Sequence, residues 1–210
     1  MKNRGVYEFI ALIILSSLLS YIISDFLVTE DLIYESLSDR LSDRRIEELL
    51  NMRQERSWYG YLFLPIKYSL QFLLISVSMY TGAFFFNYKI SFSALYKICI
   101  RAEFIFLIPT AIKLFWFLFI QTNYDLSDLG NFAPLSLFNL FPSGDHKTWF
   151  SFLLKSVNIF ELLYILFIAF EFSYTADKTF SKALKMVTIS YGIAWMLWIT
   201  FALFLIVSFS

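Results

Sequence analysis

Two charged side chains lie deep inside apolar stretches, where chemistry or structure must account for them. Lys113 falls within Tyr96–Gln121 and Glu161 within Phe152–Tyr174. Counted from the ends near Gln121 and Phe152, each sits about 12–14 Å into a helix that rises ~1.5 Å per residue, close to the middle of a bilayer. An unpaired charge at that depth costs ~2.5–3.5 kcal/mol. Opposite charges at matched depth on different helices are therefore expected to pair. Asn158, one turn from Glu161 on the same face, is placed to donate to the pair. Such a pair has two roles open to it: a buried contact that sets helix register, or part of a proton or solute path. Lys67 and Gln71 share one face of another apolar stretch with Leu74, Ser78 and Thr81. Polar residues in a span turn towards other helices or a water-filled cavity. Lys67 and Lys155 lie near a boundary and can extend their ammonium groups to it. Glu103 and Glu171 lie near the opposite boundary, within reach of Arg101 or Lys178.

Little else in the chain could do chemistry. The single cysteine, Cys99, has no partner for an intramolecular disulfide and reads as a small packing residue. The single histidine, His146, has no companion histidine or cysteine, which argues against a zinc site. Gly-rich phosphate loops, HExxH and GxSxG are missing from the sequence. Neither a nucleophile–base set nor a catalytic pair of acids is visible, so no enzyme and no cofactor is expected. Seventeen basic and seventeen acidic residues cancel, leaving no global basic field for nucleic acid.

The elements that must hold these side chains are membrane spans. Of the 210 residues, 59% are hydrophobic, and the excess comes in blocks of helix-spanning length rather than as one large core. Residues 186–210 contain no charge at all. We expect an all-α, polytopic transmembrane bundle forming a single membrane domain, with five spans at about 7–28, 62–86, 97–121, 152–174 and 186–208. The first run is longer than a signal-peptide core and ends in a poor cleavage site, so it reads as a retained span. Pro109 should kink the third span, freeing a carbonyl that Thr110 or a neighbouring helix must help satisfy.

Two connections are long. Residues 29–58 form an amphipathic helical loop, in one broken helix or two short ones. Thr29 is its N-cap, followed by Glu30 and Asp31, and Ile33, Leu37 and Leu41 make an apolar stripe that resumes out of phase at Ile46. It either caps the bundle or docks a partner, with Leu37, Arg40, Leu41, Arg44 and Arg45 as the candidate docking residues. The second connection, 122–149, contains an apolar segment from Phe132 to Pro142 that is too short to span. It reads as an interfacial or re-entrant piece, followed by a turn at Pro142–Asp145. Trp58, Trp116 and Trp149 fit an aromatic belt, whereas Trp195 and Trp198 lie deeper, as packing residues.

Five spans put the termini on opposite sides. Lys2, Arg4, Lys89, Lys97, Arg101, Lys178, Lys182 and Lys185 then fall in short segments on the N-terminal side. Arg40, Arg44, Arg45, Arg53, Arg56 and Lys147 face the other. The denser basic side is the cytoplasmic one, so the N-terminus is expected to be cytoplasmic and the C-terminus extracytoplasmic. The Phe/Ile/Lys/Tyr-rich composition suggests a bacterial inner membrane.

Four further stretches carry a family likeness: Ile90-Ser-Phe-Ser-Ala-Leu-Tyr96, Ser156-Val-Asn158-Ile-Phe160-Glu-Leu-Leu163, Thr179-Phe-Ser-Lys182-Ala-Leu184 and Tyr191-Gly-Ile-Ala-Trp195-Met-Leu-Trp198. With them the chain, from about Leu62 onward, resembles the Ypt-interacting-protein (Yip) domain family of five-span membrane proteins. The family pattern often has Asp where this chain has Asn158, and Gly near Phe170–Phe172. The resemblance implies a cytoplasmic N-terminus and a link to trafficking or to exporters, and it supplies no catalytic residues. The expected partners are the lipid bilayer and other membrane proteins, with a homo-oligomer left open. The expected function is a non-enzymatic accessory or scaffold subunit. The alternative is a small transporter or channel subunit built on the Lys113–Glu161 pair.

Overall fold

The computed structural model describes residues 4–141 and 147–209. Lys2, the Pro142–Asp145 turn and His146 lie outside the described residues. Among those described, the chain is helical, with an isolated β-bridge between Ser136 and Asn158 and no strand.

Helix α1, Arg4–Ile22, runs on through a π-helical stretch at Ile23–Leu27. Helix α2, Glu30–Leu37, starts at Thr29, whose hydroxyl accepts a hydrogen bond from the Leu32 N–H. Its stripe ends at Leu37, and Leu41 lies exposed in the turn that follows. That turn accounts for the phase shift: Ile46 belongs to the next helix, is fully buried, and lies on the segment against which α2 packs.

That next helix, α3, runs unbroken for 43 residues, Asp43–Phe85. No helix break marks the boundary expected near Tyr59 between loop and span. The polar arm and the apolar segment are one rod of about 65 Å, twice the ~30 Å of a hydrocarbon core. Pro65 sits inside it without ending it. The missing N–H forgoes a single bond, to the Tyr61 carbonyl, and the turns on either side keep theirs.

Helix α4, Phe92–Glu103, gives way to a 3-10 turn, Phe104–Phe106, and then to α5, Leu107–Phe119. The interruption lies just before Pro109, where its ring would meet the carbonyl of Ile105. The Thr110 hydroxyl donates to the Phe106 carbonyl at 3.2 Å, which helps satisfy the disturbed turn. Helix α6, Leu126–Asn131, is short and opens on a capping box between Asp125 and Asp128.

The stretch 152–174, expected as one span, is two helices: α7, Thr148–Ser156, and α8, Ile159–Thr175. The backbone is extended at Val157 and Asn158. The freed groups pair with Leu135–Leu137, through Leu137 N–H to the Val157 carbonyl at 2.9 Å and Ile159 N–H to the Leu135 carbonyl at 3.0 Å. Part of the apolar segment expected at the interface is thereby tied to this break. Helix α9, Phe180–Phe209, closes the fold.

Four stretches, Arg4–Leu27, Asp43–Phe85, Phe92–Phe119 and Phe180–Phe209, are long and apolar enough to cross a membrane. The main core lies where α3, α4, α8 and α9 meet, around Phe72, Met79, Ile98, Tyr164, Phe172 and Met186. Outward, α9 exposes Leu197, Trp198 and Phe204, and α3 exposes Phe84 and Phe85. Water penalises such a surface and lipid tails accept it. The turns at one end, called the turn end below, are built alike. Asn87 and Asp177 take left-handed φ of 55° and 51° just past α3 and α8. The next N–H reaches back to Ala83 or Ser173, as helix C-termini require.

Helices α3 and α9 come close together at Gly82. A Cβ built there would lie 1.7 Å from Ser190 Oγ and 2.7 Å from Ser190 Cβ. Nearby, the Ser78 hydroxyl donates to the Ser190 carbonyl at 2.7 Å. Small residues at a helix contact let the backbones close in and gain packing. Gly82→Ala is expected to cost roughly 1–3 kcal/mol by overpacking, and adding Ser190→Gly should recover most of the loss. The check is thermal stability in detergent. A double variant no better than Gly82→Ala alone would show that the contact is not the cause.

Candidate functional site

The polar side chains collect in three places: the bundle interior, the turn end, and a cavity at the opposite, loop end. In the interior, Glu103 closes α4 and is only 5% exposed. Gln71 of α3 donates to both of its carboxyl oxygens, at 3.1 and 3.0 Å. Glu161, in the first turn of α8, accepts from the Tyr191 hydroxyl of α9 at 2.5 Å. Between these pairs lies Tyr164, fully buried, with ring centroids 5.1 Å from Phe106 and 5.2 Å from Tyr191. Its hydroxyl has no hydrogen-bond partner among the described residues. Ser16 bonds Tyr68 at 2.9 Å, and Ser76 meets the buried Cys99.

Lys113 and Glu161 do not pair. The Lys113 ammonium donates to the Leu129 carbonyl at 2.7 Å, and Glu161 turns to Tyr191. Depth counting treats each span as one straight helix, yet α4–α5 and α7–α8 are both interrupted, so matched depth does not bring matched direction. Asn158 does not serve an ion pair either. Its Oδ1 accepts from the Glu161 N–H at 2.9 Å, and its Nδ2 donates to the carbonyls of Lys155 and Ser156. One side chain thus ends α7 and opens α8. The Asn-x-x-Glu spacing signals this start, but the apolar run around it conceals the break.

Lys67 and Gln71 share a helix face but not a function. Gln71 reaches inward to Glu103, while Lys67 is exposed, with its ammonium 5.0 Å from the Tyr68 ring. Glu103 was expected at the boundary beside Arg101 or Lys178 and instead faces the core. Glu171 does meet Arg101, at 2.5 Å. Arg101 also approaches Glu8 at 3.9 Å, and Glu8 pairs with Arg4 at 3.2 Å. These charges tie α1, α4 and α8 together at the turn end.

At the loop end, Arg40, Arg44 and Arg45 are exposed, and both Arg44 and Arg45 reach Glu48. Leu37 is half-buried and Leu41 exposed. Sequence reasoning overlooked Arg53. Its guanidinium donates to the Val28 and Ser24 carbonyls at 2.7 and 2.6 Å and to Ser24 Oγ at 3.0 Å, closing the C-terminal end of α1. Nothing local marks that role, since the partners lie 25 and 29 residues away. The Tyr124 hydroxyl donates to the Leu27 carbonyl at 3.2 Å, and burial raises its pKa.

A cavity of about 360 Å³ opens between the two helix breaks. Lys113, Lys155, Thr110 and Asn158 line it together with Phe106 and Phe160. Lys155 donates to the Gly130 carbonyl at 3.0 Å and to Asn131 Oδ1 at 2.9 Å. Among the described residues, no group of three or more His, Cys, Asp or Glu is placed to hold a metal ion. Comparison of the chain with protein-family models, with curated proteins and with solved structures finds no match.

The interior pairs are expected to be energetically coupled where the structure joins them and independent where it does not. In double-mutant cycles on detergent stability, Gln71→Leu with Glu103→Gln, and Tyr191→Phe with Glu161→Gln, should each show coupling of roughly 0.6–1.7 kcal/mol. Lys113→Met with Glu161→Gln should add to within ~0.5 kcal/mol. Strong coupling in that last cycle would contradict the arrangement described.

Proposed function

We propose that this chain is a five-span integral membrane protein acting as a non-enzymatic accessory or scaffold subunit for other membrane proteins. The four long apolar helices are joined in this reading by α7 and α8, which together make a discontinuous fourth span. Interrupted spans are tolerated where freed backbone groups pair within the protein, and Asn158 and Leu135–Leu137 supply that pairing here. The N-terminus is cytoplasmic and the C-terminus extracytoplasmic, on the distribution of lysine and arginine. A bacterial inner membrane, and membership of the Yip-domain family on the stretches quoted above, are part of the same proposal.

The observation that carries the docking role is the outer half of α3. It is continuous with the apolar segment, packed against α2 with Ile33 and Ile46 buried, and clamped to the end of α1 through Arg53. It presents Arg44 and Arg45 with 91% and 60% of their side chains exposed. A stiff arm that is fixed to a membrane bundle and carries exposed charges of both signs suits recognition of a charged partner surface better than it suits a cap.

A second reading, a small transporter, draws on Glu103 and Glu161. Two interior carboxyls, each beside a helix break and with no cationic partner within ion-pair distance among the described residues, have the character of ion-pathway groups. Flux in proteoliposomes that Glu103→Gln abolishes would favour this reading over docking.

Topology reporters fused at Ser91 and Ala176 should read cytoplasmic, and one at the C-terminus should read extracytoplasmic. A cytoplasmic C-terminal signal would reverse the proposed orientation. For docking, Arg44→Glu with Arg45→Glu is expected to abolish recovery of co-purifying membrane proteins after mild solubilisation. It should leave stability nearly unchanged, because exposed pairs of this kind contribute ~0–1 kcal/mol. Undiminished recovery would remove the docking role.

A further inference from the structure

The loop-end cavity holds an imbalance of charge that the fold does not correct. Lys113 enters it from α5 and Lys155 from α7. No carboxylate among the described residues pairs with either. Their contacts are neutral: Leu129 O, Gly130 O and Asn131 Oδ1 at the end of α6, and for Lys155 also the Phe138 ring, 4.8 Å from its ammonium. Carbonyl and amide oxygens satisfy hydrogen-bonding capacity but leave net charge in place. Each ammonium has three donors, so its single bond to Leu129 leaves Lys113 with capacity to spare, while Lys155 keeps its full charge beside it. The N-terminus of α8, a helix of 17 residues, begins at the same wall with Asn158, and the carboxyl in its first turn, Glu161, is turned to Tyr191 rather than to either lysine. The Thr110 hydroxyl lines the cavity as well. The other walls are Phe106, Pro109, Phe132 and Phe160.

Two cations in an apolar frame select a ligand that is anionic at one end and apolar at the other. We propose that this cavity binds the phosphate headgroup of an anionic membrane lipid, with Lys113 and Lys155 as the paired contacts and the aromatic walls against its glycerol and first methylenes. The volume suits a headgroup and not a whole lipid, so the acyl chains would leave along the apolar outer surface. A free phosphate offers the same charge without the apolar part. The site is separate from the charged arm of α3, so loss of docking there leaves it untouched.

The test uses the full chain, purified in a neutral detergent. Phosphatidylglycerol, phosphatidylcholine, glycerol phosphate and inorganic phosphate are titrated separately, and bound lipid is counted by native mass spectrometry beside thermal stability. Phosphatidylglycerol is expected to bind and stabilise, with phosphatidylcholine and the two soluble phosphates far weaker. Lys113→Gln with Lys155→Gln keeps hydrogen-bond donors but removes the charge, and should weaken phosphatidylglycerol roughly ten- to hundredfold. Equal affinity for phosphatidylcholine, or an unchanged affinity in the double variant, overturns the proposal. Full stabilisation by inorganic phosphate overturns the lipid assignment and shows a soluble-anion site. Should the double variant fail to fold, amine labelling of the unmodified protein decides. Phosphatidylglycerol must protect Lys113 and Lys155 more than Lys67, and equal protection of all three overturns the site.

Discussion

Every backbone group released inside an apolar bundle must find a partner within the protein, and the fold is arranged around that constraint. Asn158 shows how it is met. A single amide side chain accepts from the start of α8 and donates to the last carbonyls of α7. Two further groups at the break, the Val157 carbonyl and the Ile159 N–H, pair with the extended segment Leu135–Leu137. An unsatisfied group in hydrocarbon costs several kcal/mol, so break, cap and loop must form together. The cavity follows from the same event, because pulling the loop into the break lays Ala133 and Pro134 across the space between α5 and α7.

The charges obey the same economy by different routes. Carboxyls in the interior are held by neutral donors, Gln71 and Tyr191, rather than by lysines. Lys113, Lys155 and Arg53 are held by carbonyls at helix ends, which have no intrahelical donor of their own. Opposite charges meet at the turn end, where Arg4, Glu8, Arg101 and Glu171 link three helices. Long cationic side chains reach loop carbonyls more readily than they reach an acid on another helix, since direction as well as depth must match.

Several features were legible in the sequence because their causes are local. Length and apolarity of the runs depend on composition alone, and they determined a helical protein with long apolar segments. Thr29 caps its helix because a short side-chain oxygen before a helical run finds the free N–H groups of the first turn. The disturbance near Pro109 follows from the missing N–H and the ring.

The tertiary structure alone decided which polar groups meet. The sequence paired Lys113 with Glu161 by depth, and it placed Glu103 at a boundary. Interruption at 104–106 and 157–158 changed the directions of these side chains, sending Lys113 to Leu129, Glu161 to Tyr191 and Glu103 to Gln71. Arg53 reaches α1 across a gap in sequence that no periodicity records. Periodicity reports one face of one helix; the rotation of that face towards its neighbours is set by packing, as at Gly82 and Ser190, where small residues let α3 and α9 come together.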